Sequence, residues 1–170
     1  MKKHSIHTVF RPYRLLLPVL AGLALSGSRT ASPEPEVFVG TSPCDDLPRK
    51  MLSIPLNTDC EMIRWELTLH PRLTDRGPSR FGLRYRYGMT QPGTPDFRNG
   101  GSVAEMAGTW EVRKEADRRT VYRLDPTGNG TPLSFRRLDA RLLHLLDPEN
   151  RLMIGNAGWS YSLNRKDGNP

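Results

Sequence analysis

Cysteine is nearly absent from this chain: Cys44 and Cys60 are the two among 170 residues. Histidine is scarce too. Beyond residue 28 only His70 and His144 remain, and neither neighbours a nucleophile elbow, a zinc-binding spacing or a paired-carboxylate pattern. The reaction classes that those motifs mark are therefore without support, and no enzyme is expected. Long apolar runs are missing as well. The run at 15–25 falls short of the roughly 20 residues that cross a bilayer as a helix. After Val37 no segment keeps a helical period. Basic residues lack a concentrated patch. Residues 1–28 hold four Lys/Arg and no acid, so the remainder carries +3 of the total +7, spread among acidic neighbours. That pattern describes a solvated surface and excludes a nucleic-acid groove, which concentrates cations beside stacking aromatics.

What is present begins with a leader. Lys2, Lys3, Arg11 and Arg14 precede or flank the apolar run, and Ala24 and Ser26 supply small residues behind it. This is the pattern of a cleaved export signal over 1–28. Leu25-Ser26-Gly27-Ser28 has the form of a lipobox with serine in place of the acylated cysteine. Ser28 has no thiol, so the expectation is an unlipidated protein of the periplasm or cell envelope. A Pro- and Ser-rich linker at 29–36 leads to the folded part at 37–165, and 166–170 is a tail.

From Ile63 the chain alternates: Ile63, Trp65, Leu67 and Leu69 on one side, Arg64, Glu66, Thr68 and His70 on the other. That is a strand with one buried face. The same rhythm returns at 81–87, 109–113, 120–124, 133–136, 141–147 and 158–163, with shorter runs at 37–40 and 152–154. Turn residues separate these runs, as in Asp125-Pro126-Thr127-Gly128-Asn129-Gly130. The connection 45–58 holds Pro48 and Pro55 and room for one helical turn at 49–52; 91–101 reads as an exposed loop. About eight short strands predict an all-β antiparallel meander, and closing it into a barrel removes the exposed edges. An open sandwich is the alternative.

The order of these pieces resembles the N-terminal domain of the NlpE family of copper-resistance and envelope-stress lipoproteins. The likeness runs through Val39-Gly40-Thr41-Ser42-Pro43-Cys44, then Asp59-Cys60-Glu61-Met62-Ile63, then a strand ending Leu67-Thr68-Leu69. It continues through Gly108-Thr109-Trp110, Tyr122-Arg123-Leu124, the apolar run closed by Leu145-Leu146-Asp147, and Tyr161-Ser162-Leu163. The resemblance implies a small lipocalin-like barrel that binds or senses in the bacterial envelope, an envelope protein as partner, and copper as the metal. The chain departs from the family in two places: an insertion separates Cys44 from Cys60, and the lipobox cysteine is replaced by Ser28.

For the cysteine pair, an even count in an oxidising compartment predicts a Cys44–Cys60 disulfide. Reduced, the same thiolates would suit a soft ion such as copper(I). Met51, Met62 and His70 are the auxiliary ligands nearby in sequence. Trp65, Trp110, Trp159, Tyr85, Tyr122 and Tyr161 are expected to line a packed interior. An eight-stranded barrel can also hold one small ligand, so an apolar-ligand carrier of lipocalin type is the second reading. His144 is expected to point outward from its strand.

Overall fold

A strand turns every second side chain to one face, so the alternating runs can share a core only by pairing side by side. A computed structural model describes residues 34–72, 79–115 and 118–167. The leader, the linker up to residue 33, the turn at 74–78, Ala116, Asp117 and the last residues of the tail lie outside the described residues. Among those described, eight strands follow one another: β1 Glu36–Pro43, β2 Met62–His70, β3 Ser79–Gly88, β4 Ser102–Lys114, β5 Thr120–Pro126, β6 Leu133–Arg137, β7 Leu142–Leu145 and β8 Ser162–Arg165. Each pairs antiparallel with the next, and β8 pairs back with β1. The meander closes into a barrel, and the open sandwich is not formed.

The alternation in β2 reads out directly. Ile63, Trp65, Leu67 and Leu69 are buried, while Glu66 and His70 are exposed. Each fully buried side chain of this kind contributes about 1.5–3 kcal/mol. Trp65 meets Phe135 edge to face, with ring centroids 6.4 Å apart. Its indole N–H donates to the Oγ of buried Ser42 at 2.8 Å, so the polar edge is not left unpaired in the core. Tyr85, Tyr122 and Tyr161 are buried as expected, and Trp110 packs partly buried against the core beside Tyr122. Trp159 does not join them. It lies in the β7–β8 loop, where Asn156 Oδ1 accepts hydrogen bonds from the backbone N–H groups of Gly158 and Trp159.

Four expectations change at the edges. β4 begins seven residues before Thr109, because Ser102 to Gly108 pairs continuously with β3 despite its small and polar side chains. The run at 152–154 makes a single bridge, Leu146 to Leu152, and leaves Ile154 91 % exposed. The expected strand at 158–163 starts only at Ser162. The helical turn is real but earlier, as α1 Asp46–Met51. Pro48 sits in its first turn, where a missing N–H breaks no helical bond.

The barrel closes along a thin seam. β8 pairs with β1 at two register positions, Phe38 with Arg165 and Val39 with Asn164, and the Lys166 N–H donates to Val37 O just beyond them. Gly40 makes this approach practicable: a Cβ there would lie 2.3 Å from Ser162 O and 2.7 Å from a methyl of Leu163. Gly82, on the outer face of β3, has open space around the same position. Gly40→Ala should destabilise the fold by about 1–3 kcal/mol through overpacking. Gly82→Ala should be neutral or slightly stabilising. Urea denaturation of the two variants checks this; equal midpoints would show that the seam is not sterically tight.

Candidate functional site

Register decides where the cysteines meet. Pro43 of β1 stands opposite Met62 of β2. Cys44 follows the first strand and Cys60 precedes the second, so both leave the sheet at one end. Their Cα atoms are 5.7 Å apart and the sulfurs form a disulfide, a separation ordinary for such a bridge. Cys44 is buried and Cys60 partly so.

The chain between them is a cap on the barrel end. Met51, Leu52 and Ile54 are each at most 4 % exposed and belong to the same apolar cluster as Trp65 and Leu67. A short loop cannot bury its backbone without partners, and Arg49 supplies them. Its Nε donates to Cys44 O at 2.8 Å, its Nη1 to Leu56 O at 2.8 Å and Thr58 O at 3.0 Å, and its Nη2 to Cys60 O at 2.8 Å. One planar guanidinium thus joins both cysteine carbonyls to the far side of the loop, which a point-like ammonium does not reproduce.

Two tyrosines button the cap to the wall. Tyr85 OH donates to Leu52 O at 2.7 Å, and Tyr161 OH donates to Asp45 Oδ2 at 2.6 Å. Burial pushes both phenols above the ordinary tyrosine range. The hydrogen bond to Asp45 and its charge add to the rise at Tyr161, and neighbouring Tyr87 adds to it at Tyr85. Beside Cys60, Glu61 Oε2 accepts from Thr90 Oγ1 at 2.5 Å and Thr90 N at 3.2 Å, which ties the β3–β4 loop to the cap. Those Thr90 bonds hold the Glu61 carboxyl below its usual pKa.

The auxiliary ligand set divides. Met51 is in the cap and Met62 at the capped end of β2, both buried. His70 is at the other end of β2, about 26 Å of extended strand from Met62, so it cannot share an ion with the cysteines. Among the described residues no group of three or more His, Cys, Asp or Glu is placed to hold a metal. His144 lies on the face of β7 opposite Leu143 and Leu145, as expected, but its ring nitrogens are engaged by Ser162 Oγ at 2.9 Å and Met153 O at 2.8 Å. It fastens the β7–β8 loop to the wall. Arg49 and the Asp45–Tyr161 contact were not singled out by sequence reasoning; the available signal was an arginine inside a cysteine-bounded loop. No family profile, curated protein or solved structure matches the chain.

The buried phenols give the cap a pH signature. Each is favoured as the neutral form in the folded state. Their contribution is complete below about pH 10, the ordinary tyrosine pKa, and is lost as pH rises through the folded value. Wild-type stability should therefore decline above about pH 10. Tyr161→Phe should cost about 1 kcal/mol at neutral pH and make that decline shallower. Denaturation curves at several alkaline pH values check this; parallel declines would show that Tyr161 is not coupled to the fold.

Proposed function

We propose that this chain is an exported binding and sensing barrel of the bacterial envelope, of NlpE-like type, related to copper or envelope stress. The cap is its responsive element. It works as a module that reports to an envelope protein, not as an enzyme. The observation that carries this is the disulfide at the neck of a loop whose apolar side chains belong to the core. A change in that bond acts on barrel packing directly. The ordered motif likeness over 37–164 and the unacylatable Ser28 behind an export-type leader point to the periplasm as its compartment. The carrier reading has less behind it, because the aromatic and leucine side chains that would line a ligand chamber pack against one another.

In the oxidised state the sulfurs bond to each other and offer no thiolate to a metal. Reduced, two thiolates on Cα atoms 5.7 Å apart fit one soft ion. Copper(I) would be held by Cys44 and Cys60, with the thioethers of Met51 and Met62 at the same end. Bound there, it would supply a new crosslink at the neck of the cap in place of the S–S bond. Cys60 is the more exposed residue of the pair, so a reducing dithiol attacks its sulfur as thiolate and Cys44 leaves as thiolate. The reductant's second thiolate then attacks its own sulfur in the mixed disulfide, which frees Cys60 and leaves the reductant oxidised to its disulfide.

Thiol labelling of protein isolated without reductant should find no free thiol. Oxidised protein should take up no copper(I), and reduced protein one equivalent that Cys60→Ser abolishes. Equal uptake by reduced wild type and Cys60→Ser would remove the copper role. Two reactive thiols before reduction would remove the redox role.

A further inference from the structure

β4 is paired unequally on its two sides. It bonds to β3 from Ser102 to Trp110, but to β5 only from Gly108 to Lys114. β5 ends at Pro126. Thr127 makes the last contact, its N–H and Oγ1 donating to Ala107 O at 2.9 and 3.1 Å. Gly128, at φ 74°, then turns the chain. Residues 102–106 therefore have no strand on their second edge among the described residues.

Alternation along the strand identifies the groups on that edge. Ala107 O bonds to Thr127 N, and Glu115 N to Arg119 O, so odd-numbered residues of this stretch direct their backbone groups away from β3. Val103 and Glu105 each present one N–H and one C=O there, with no partner among the described residues. An open edge of this kind is a template for another strand. Neither proline nor lysine guards it, and Val103 is 46 % exposed beside it.

We propose that this edge pairs with the same edge of a second copy of the chain, antiparallel about a two-fold axis at Ala104. In that register Val103 lies opposite Glu105 of the second copy, and the two exchange both hydrogen bonds. Every open group on Val103 and Glu105 is used. Centring on Glu105 instead would set two carboxylates face to face, which is unfavourable. The outer-face charges complete the fit. Arg86 stands across from Val103 and has no ion pair or hydrogen bond among the described residues. Glu105 meets Arg84 of its own chain at 3.7 Å. On the second copy it would lie between that arginine and Arg86, two strand spacings from Arg86, about 10 Å between Cα atoms, within the joint reach of the two side chains. The contact is isologous, so it closes at two copies. It is independent of the copper reading and stands if that reading fails.

Sedimentation velocity across a concentration series, with hydrogen exchange at the low and high ends, tests this. The chain should shift towards twice the monomer mass as concentration rises, and the amides of Val103 and Glu105 should slow by about tenfold, as expected for hydrogen bonds gained. Glu105→Arg and Arg86→Glu should each reduce the dimer. The charge-swapped double variant should restore it, and circular dichroism of each variant should match wild type. A chain that stays monomeric throughout overturns the proposal. So does a dimer that both single variants leave intact, or one that forms while the two amides exchange unchanged.

Discussion

The guanidinium of Arg49 is the constraint on which the capped end depends. A loop laid across a barrel end must satisfy its carbonyls without a ladder, and here one side chain reaches those of Cys44, Leu56, Thr58 and Cys60. With the backbone gathered, Met51, Leu52 and Ile54 can enter the core cluster. The disulfide acts at the neck of the same loop, where closing sixteen positions of chain contributes about 3 kcal/mol in the chain-entropy model. The two devices do different work. The disulfide restricts the unfolded chain, while Arg49 shapes the folded loop.

Barrel and cap are joined through side chains of the wall. Tyr85 lies on β3 and Tyr161 just before β8, so the cap is fastened on two sides of the closed sheet. Glu61 extends the attachment to the β3–β4 loop through Thr90. A change at the disulfide neck therefore reaches the wall through short polar contacts as well as through apolar packing, the coupling that the proposed sensing role requires.

The sequence was legible where periodicity and burial coincide. β2 and β3 carry a large apolar residue at nearly every inward position, and their alternation is their fold. The first half of β4 was illegible because Ala104 and Gly108 hold inward positions with little hydrophobic signal and Ser102 is exposed; its place is set by pairing with β3. Leu152 and Ile154 mislead in the opposite sense. They are apolar, but Asn156 and the Gly155–Trp159 approach commit that stretch to a turn. The cysteine pair could be placed from strand order alone. The work of Arg49 could not, since its partners are backbone carbonyls that leave no side-chain pattern.

The central claim is that Arg49 holds the cap on the barrel. The most direct measurement is amide hydrogen exchange of oxidised Arg49→Lys against wild type. The bonded cap amides of Leu52, Ile54 and Thr58 report the cap. They should lose protection by about tenfold or more, the loss expected when charge-assisted bonds are removed, while the amides of β2 and β3 keep theirs. Cap amides that exchange in the variant as they do in wild type would contradict the account.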